Sequence, residues 1–407
     1  MLSSTWRSRS TRGVLVIGAA ASLVLSGCSD KSSDGGGGGN TDLSIQPVVQ
    51  LDTEGKAVAQ TDAGAAADPA GDGKAKCAPT SIAMAGPLTG GNAALGINIT
   101  MGVKLALDKH NKANPDCQVS VKEFDTEGKP QNASQKIPTI VADPSIVGLI
   151  GPTFSGETKA TGQILSEAGM PTLTASATNP TLTQNGWKTF FRGLGNDNSQ
   201  GPAVANYLTK EKGFKKICVV QDNTDYGAGL AQAFLTAAGG AADPSCAANV
   251  KEGDKDFSAT VSKLSAAKPD AIFYAGYYAE AAPFVQQLRS GGVTATFVSA
   301  DGSNDPEFVR QAGSSSKDAL LSCPCSPAPE KFAAEYTAFN GQAPGVYSVE
   351  GYDLATILLK GIDSGKVTRA DLVEYVRTYT GTGVAREYKW GETGELANIQ
   401  IWMYEVK

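Results

Sequence analysis

Six hydroxyl, aromatic or acidic side chains each stand shortly after an apolar segment that is rich in β-branched residues. They are Ser155, Ser176, Thr178, Tyr226, Tyr277 and Asp301. In open parallel α/β sheets, ligands bind beyond the carboxyl ends of the strands, so a site is expected at such positions. The first three residues belong to one half of the chain and the last three to the other half. We therefore expect them to face each other across a cleft.

The three residues of the first half suit a carboxylate. Ser155 opens a predicted helix, where free backbone N–H groups and the helix dipole favour an anion. Ser176 and Thr178 lie in a turn that adds hydroxyl and backbone donors. An ordinary structural interpretation stays open as well, because Ser155 is of a helix-capping residue type and Thr178 precedes the turn sequence Asn179-Pro180.

The three residues of the second half suit a cation held beside aromatic faces. Asp301 can accept a charge-assisted hydrogen bond from an ammonium group. Tyr226 and Tyr277 offer flat, partly apolar faces with a polar tip. Singly, these residues also fit partly buried tyrosines and an aspartate-glycine turn. Together with the first half, they predict a site for a zwitterion.

Short apolar segments alternate with segments of helical periodicity from residue 80 onward. The predicted strands are 81–85, 119–124, 146–150, 171–175, 189–192, 216–221, 271–275, 296–300, 319–322, 387–390 and 399–404. The predicted helices are 101–112, 134–141, 157–168, 201–212, 229–238, 257–267, 279–290, 306–312, 349–364 and 369–380. This alternation predicts an α/β fold of parallel sheets with helices on both faces.

The first 27 residues have the layout of an export signal, because three arginines and no acidic residue precede an apolar run. That run is about half of the ~20 residues that a membrane-spanning helix needs. Leu25-Ser26-Gly27-Cys28 resembles the bacterial lipobox, in which the chain is cut before the cysteine and the thiol is lipidated. A cleaved signal with an incidental cysteine is the alternative. We expect an exported protein that a lipid on Cys28 anchors to the outer face of the cell membrane.

Residues 28–76 contain five consecutive glycines and little periodicity, which predicts a flexible tether. A small N-terminal domain within residues 43–58 is the alternative. The remainder of the chain is too long for one simple core and predicts two domains. The formal net charge of −6 becomes more negative without the arginines of the signal, and an acidic chain without a basic stripe argues against nucleic acid as a partner.

The cysteines beyond Cys28 are even in number, which predicts disulfides in an exported chain. The most economical pairs are Cys77 with Cys117 and Cys218 with Cys246, which leaves Cys323 and Cys325 to bond to each other or to stay reduced. Metal binding by the Cys-x-Cys sequence is the alternative. Because the chain has one histidine, we expect no metal, and nothing in the sequence calls for a cofactor.

Five spaced motifs resemble the leucine/isoleucine/valine-binding group of the type I periplasmic binding proteins, over roughly residues 80–407. They are Ala177-Thr178-Asn179-Pro180-Thr181-Leu182-Thr183-Gln184, Asn198-Ser199-Gln200-Gly201-Pro202, Asp225-Tyr226-Gly227, Lys255-Asp256-Phe257-Ser258 and Gly276-Tyr277-Tyr278. The resemblance implies two Rossmann-like lobes with parallel sheets, joined by a hinge that the chain crosses three times. The implied N-lobe is 78–198 plus 327–382, the implied C-lobe is 199–326 plus 383–407, and Asp197-Asn198 forms one hinge.

The same resemblance implies that all six residues named at the outset bind ligand, the hydroxyls at an α-carboxylate and Asp301 at an ammonium. Asp301 stands where branched-chain binders have glutamate, so the charge is kept on a shorter side chain. Phe154 replaces a disulfide cysteine and Leu95 replaces a bulky aromatic residue; both line the pocket, with Thr153 and Tyr347. The implied function is the capture of an amino acid, branched-chain or related, by hinge closure. A monomer that delivers its ligand to an ABC permease and its ATPase is expected.

Other functions stay open from the sequence to different degrees. The ligand of such a fold can be a short amide, urea or an aromatic acid where the ammonium contact is altered. The same fold also serves as a ligand sensor for a signalling partner. An enzyme is not expected, because the sequence has no Gly-x-Ser-x-Gly elbow, Walker loop or Gly-x-Gly-x-x-Gly after a strand. The single histidine, His110, lies at a polar helix end and is predicted to be a surface residue.

Overall fold

The computed structural model describes residues 42–59 and 65–407. The predicted export signal and the predicted lipidation site, Cys28, lie outside these residues. In the part of the chain that the structure describes, no helix combines the length and the apolar character needed to cross a bilayer.

Strands and helices alternate through most of the described chain. The strands are β1 (Ile45–Leu51), β2 (Ala57–Val58), β3 (Thr80–Gly86), β4 (Val119–Asp125), β5 (Ile146–Ile150), β6 (Thr172–Thr174), β7 (Phe190–Arg192), β8 (Ile217–Gln221), β9 (Ala248–Asn249), β10 (Ala271–Ala275), β11 (Thr296–Ser299), β12 (Leu320–Cys323), β13 (Thr380–Thr382), β14 (Glu387–Lys389) and β15 (Ile401–Val406). The helices are α1 (Ala93–Ala113), α2 (Pro130–Ala142), α3 (Ser155–Glu167), α4 (Asp197–Asn206), α5 (Asp225–Ala238), α6 (Ser258–Ala267), α7 (Tyr278–Ser290), α8 (Pro306–Ala312), α9 (Glu330–Asn340), α10 (Ser348–Asp363) and α11 (Arg369–Thr378).

One sheet consists of five parallel strands in the order β4-β3-β5-β6-β7. Its central strand, β5, has the sequence Ile-Val-Gly-Leu-Ile and is buried along its whole length, as expected for a strand covered on both faces. Helices α10 and α11 pack on β5, and α2 packs on β3. All of these elements fall within the residues given for the N-lobe.

The second sheet has the order β2-β1-β15-β12-β11-β10-β8-β9. Strands β12, β11, β10, β8 and β9 run parallel, whereas β15 pairs antiparallel with β12 and β1 pairs antiparallel with β15. Helix α5 packs on β8 and β10, and α4 packs on α5. Except for β1 and β2, the strands of this sheet fall within the residues given for the C-lobe.

The prediction of a flexible tether over residues 28–76 is wrong for residues 45–58, which form β1, a turn and β2. The turn includes Gly55 with φ +79°, where a Cβ atom would lie 2.5 Å from the carbonyl oxygen of Ala203. Only glycine fits that close approach. Three consecutive exposed residues interrupt the alternation of β1, so its periodicity does not reveal a strand.

Most predicted elements are confirmed with small shifts of their ends, but α1 begins eight residues before its predicted start and helix α9 was not predicted. Pro329 stands directly before this helix and Gly341 follows it in the left-handed conformation, which are ordinary end signals. Its buried residues are Phe332 and Tyr336 alone. A single i,i+4 pair makes a narrow apolar stripe, and the helical period is therefore weak in the sequence.

Three disulfides confirm the predicted cysteine pairs and settle the open one. They are Cys77–Cys117, Cys218–Cys246 and Cys323–Cys325. The first joins the segments that lead into β3 and β4, and the second joins β8 to the segment before β9. The third lies at the end of β12, where the chain leaves the second sheet.

His110 is fully buried, which corrects the prediction of a surface residue. Its Nε2 lies 2.8 Å from Asp363 Oδ1, and its Nδ1 lies 3.1 Å from Asn111 Oδ1. Although burial opposes it, the hydrogen bond with Asp363 raises the pKa of His110 above its ordinary value. The sulfur of Cys117 lies within 4.8 Å of the His110 and Asp363 atoms that could bind a metal ion. It belongs to a disulfide, however, and is not a free thiolate. The histidine therefore ties the end of α1 to the end of α10.

Candidate functional site

The predicted carboxylate-binding residues lie together at the amino-terminal end of α3. Ser155 Oγ accepts a hydrogen bond from the backbone N–H of Asn179 at 3.2 Å, and Ser176 Oγ donates one to the carbonyl of Thr153 at 2.6 Å. Thr178 Oγ1 is buried and has no hydrogen-bond partner among the described residues. Because α3 begins at Ser155, its first backbone N–H groups lack partners within the helix. The cluster can therefore bind an anion.

The turn that carries two of these residues rests on the guanidinium group of Arg192. This fully buried side chain donates hydrogen bonds to the carbonyls of Ala177 and Asn179, the latter at 3.0 Å. Its Nε and Nη2 lie 3.1 and 3.0 Å from the carboxylate oxygens of Glu395. Although burial raises the pKa of Glu395, the charge of Arg192 leaves it below the ordinary value. Arg192 therefore fixes the turn through its backbone carbonyls.

Asp301 lies two residues after β11 and forms the anionic end of the site. Its carboxylate accepts hydrogen bonds from Tyr226 Oη at 2.8 Å and from Tyr347 Oη at 2.6 Å. The backbone N–H of Gly302 donates to Tyr226 Oη at 3.1 Å. Burial raises the pKa of Asp301, although the two tyrosine hydrogen bonds oppose that rise. A buried carboxylate bonded only to neutral donors is a centre that an ammonium group would neutralise.

Asp197, predicted only as a hinge residue, lies beside the site. It is fully buried at the start of α4, and neither of its carboxylate oxygens has a hydrogen-bond partner in the described part of the chain. Its backbone N–H donates to the carbonyl of Thr178 at 3.0 Å. Burial raises the pKa of Asp197 to about 8, and the charge of Asp301 adds to that rise, whereas the neighbouring Thr178 side chain and the charge of Arg192 oppose it. The signal was present, because Asp197 follows β7 as the six predicted residues follow their strands.

Aromatic rings line the site between these two ends. Tyr226 and Tyr277 lie with ring centroids 5.0 Å apart, and Phe154 stacks on Tyr277 with centroids 4.2 Å apart. Tyr347 reaches the site through its hydroxyl, as described above. Leu95 is buried in the first turn of α1. The structure thus joins the six predicted site residues in one cluster. Tyr347, predicted as a lining residue, bonds to Asp301, and Asp197 is added through its bond to Thr178.

Polar contacts join the two lobes around the cluster. Asn179 Nδ2 donates to the carbonyl of Asp225 at 2.7 Å, and Lys159 Nζ lies 2.7 Å from the Asp225 carboxylate. Elsewhere on the rim, Asn92 Oδ1 accepts from the backbone N–H of Ala279 at 3.2 Å. All six predicted site residues are buried beneath these contacts. The arrangement is that of a closed cleft.

The chain is similar in sequence to known binding proteins. A family model described as periplasmic binding protein matches residues 79–407. A leucine-, isoleucine-, valine-, threonine- and alanine-binding protein of Pseudomonas aeruginosa is 28% identical over 332 residues, which cover 80% of this chain and 89% of that protein. A Leu/Ile/Val-binding protein homolog of Brucella melitensis is 33% identical over 255 residues, which cover 62% of this chain and 69% of that protein.

Solved structures agree with the sequence matches. A branched-chain amino acid transporter substrate binding protein from Streptococcus pneumoniae, in complex with isoleucine, superposes with a TM-score of 0.75 at 26% identity. The match covers 81% of this chain and 99% of that one. A leucine binding protein from Thermotoga maritima gives a TM-score of 0.72 at 28% identity, covering 79% and 94% of the two chains. The predicted fold class, α/β with parallel sheets in two Rossmann-like lobes, is confirmed.

Proposed function

The chain belongs to the periplasmic binding protein family, and on that premise we propose that it captures a zwitterionic α-amino acid between its lobes. The observation that carries the proposal is one buried cluster with a donor-rich helix end at Ser155 and a carboxylate at Asp301. An α-amino acid presents the complementary charges on one carbon atom. The relative from Pseudomonas aeruginosa, a leucine-, isoleucine-, valine-, threonine- and alanine-binding protein, supports a branched-chain or related ligand.

The hydroxyl groups of Ser155, Ser176 and Thr178 differ in their hydrogen bonds, which supports different roles for them. Ser155 Oγ accepts from Asn179, so its own proton is free for a ligand carboxylate. Thr178 Oγ1 has no partner in the described structure, and a ligand would satisfy it. Ser176 already donates its proton to the Thr153 carbonyl, so it contributes by shaping the turn rather than by donating its hydroxyl proton. Two hydroxyls and the helix end would hold the carboxylate.

The ammonium group would lie between two carboxylates. Asp301 has its tyrosine donors in place, and the unpartnered oxygens of Asp197 offer further acceptors. An ammonium has three N–H donors and can use both acids. Its charge would also offset the repulsion that arises between the two buried acids when both are ionised.

We further propose that the protein is the monomeric binding component of an ABC importer and delivers its ligand to the permease and its ATPase. The similar protein from Streptococcus pneumoniae is the substrate binding protein of a branched-chain amino acid transporter, which supports this role. In this proposal, the N-lobe and C-lobe close by a hinge motion near Asp197-Asn198, and the importer recognises the closed form.

Export and lipid anchoring through Cys28 complete the proposal. The sequence around Cys28 supports it, together with the polar, glycine-rich segment that follows. Cys28→Ser should move the protein from the membrane fraction of cells into the medium, measured by immunoblotting of the two fractions. A variant that has lost its signal, as judged by its mass, and still stays with the membrane would contradict the anchor.

Arg192→Lys is expected to weaken amino-acid binding about tenfold or more, because one ammonium cannot replace the guanidinium bonds to the turn and to Glu395. The measurement is calorimetric titration together with thermal melting. Arg369→Lys is the matched control, since Arg369 also donates to backbone carbonyls, those of Val141, Asp143 and Ile146. The control should lower the melting temperature and leave the affinity unchanged. Equal affinity in both variants would show that Arg192 does not position the site.

Thermal melting against a ligand panel tests the proposed function. The protein is first unfolded and refolded, which removes any ligand carried through purification. Amino acids at 100 times their dissociation constant should add about 2.7 kcal/mol to the free energy of unfolding. Short amides, urea and aromatic acids form the comparison set. Stabilisation by a member of that set, with none by any amino acid, would overturn the proposal.

A further inference from the structure

Three aromatic rings form a column that crosses the cleft. In this aromatic column, Phe154 stacks on Tyr277 with ring centroids 4.2 Å apart and planes inclined by 28°. Tyr277 in turn packs on Tyr226, with centroids 5.0 Å apart. Phe154 belongs to the N-lobe and both tyrosines belong to the C-lobe. The contact between Phe154 and Tyr277 is therefore a contact between the lobes.

Glycine backbone supports the aromatic column from both lobes. At Gly128, a Cβ atom would lie 2.6 Å from Cε2 of Phe154. At Gly302, a Cβ atom would lie 2.9 Å from Cε1 of Tyr226 and 3.0 Å from Cδ1 of Tyr277. Main-chain atoms thus back the rings directly, without an intervening side chain that could move aside. The rings have little room to retreat from each other at these contacts.

The aromatic column lies between the two charged ends of the site. Phe154 immediately precedes Ser155, and the hydroxyl of Tyr226 donates to Asp301. The rings therefore offer an apolar surface to the side chain of an α-amino acid whose carboxylate lies at Ser155 and whose ammonium lies at Asp301. A layer of carbon atoms between two rings needs about 7–8 Å, because each carbon contact takes 3.5–4.0 Å. A separation of 4.2 Å leaves no space for such a layer.

We infer that Phe154 limits the size of the ligand side chain, and that the preferred ligand is an α-amino acid with a small side chain, such as alanine, serine or threonine. This inference rests on the proposed function and deepens it by naming the substrate class. Leucine or isoleucine has to part Phe154 from Tyr277, which opens the lobes at their stacked contact. Phe154 is in this account the residue that determines specificity.

Competing titrations of L-alanine and L-leucine test the inference, in the full chain and in Phe154→Ala. The unaltered protein should bind alanine at least about tenfold more tightly than leucine. Phe154→Ala should shift that ratio at least about tenfold toward leucine. Phe154→Leu, which keeps an apolar side chain, should shift it in the same direction and serves if the alanine variant does not fold. Phe339→Ala, an exposed phenylalanine on α9, is the matched control and should keep the original ratio.

The outcomes separate this inference from the proposed function. Binding of alanine and leucine with equal affinity, or an unchanged ratio in both Phe154 variants, overturns the size limit and leaves the proposed function intact. Tighter binding of L-phenylalanine than of alanine also overturns it, because a flat ring would then have entered between Phe154 and Tyr277. Failure to bind any α-amino acid overturns the proposed function itself.

Discussion

Asp301→Ala is expected to abolish detectable amino-acid binding, with a loss of about 2–5 kcal/mol or more in binding free energy. The substitution removes the buried carboxylate that would pair with the ligand ammonium, and it leaves the hydroxyls of Tyr226 and Tyr347 without their acceptor. Calorimetric titration of the refolded protein gives the affinity, and circular dichroism shows whether the fold is kept.

Two further variants test whether the loss of binding is due to the charge of Asp301. Asp301→Asn keeps the size of the side chain and should lose most of the affinity as well, because the charge is what the ammonium needs. Asp116→Ala removes an exposed carboxylate of the N-lobe and should bind like the unaltered protein. If Asp301→Ala binds an amino acid with unchanged affinity, the model of a zwitterion held at both ends is wrong.

Asp197→Asn is expected to remove a pH dependence of binding and to weaken binding by about 1–3 kcal/mol. Without ligand, burial raises the pKa of Asp197 to about 8, so its carboxyl group is mostly protonated at pH 7. A bound ammonium favours the charged form and lowers that pKa. Ligand binding at pH 7 therefore releases a proton, and affinity should rise as the pH is raised from 6 to 8. Titrations in buffers of different ionisation enthalpy measure the proton release.

Asp197→Asn should stabilise the unliganded protein at pH 8, although it weakens ligand binding. Because the folded pKa of Asp197 lies above the value of about 3.9 expected for an unfolded aspartate, its contribution to stability is lost as the pH rises from about 4 to 8. Asp197→Asn should then unfold at a higher temperature than the unaltered protein at pH 8, while Asp256→Asn, an exposed aspartate, should show no such gain. Proton release of equal size in Asp197→Asn and the unaltered protein would contradict the role of Asp197.

The sequence predicted the parallel core of the fold and much of the site for one physical reason. Strands such as β5 and β10 are buried on both faces and read as continuous apolar segments. The residues that follow them must lie at the carboxyl edge of a sheet, whichever contacts their side chains make. Ser155, Thr178 and Asp301 could therefore be assigned to one cleft before their contacts were known.

The remaining features depend on contacts between distant parts of the chain. Strand β1 forms because it pairs antiparallel with β15. Its own residues do not alternate between buried and exposed, so they give no local signal of a strand. His110 is buried because Asp363, far along the chain, supplies its partner. The bond of Tyr347 to Asp301 and the stack of Phe154 on Tyr277 likewise arise only when the lobes meet. Local patterns cannot report such pairings.

Titration of the refolded protein with matched ligands tests the central claim most directly. L-alanine and L-leucine are each compared with the amide, which lacks the carboxylate, and with the deaminated acid, which lacks the ammonium. At least one amino acid should bind and be recovered unaltered, and its two derivatives should each bind more weakly by about 2–5 kcal/mol, because each leaves one buried end of the site unpaired. A deaminated acid that binds as tightly as its parent amino acid would contradict the account.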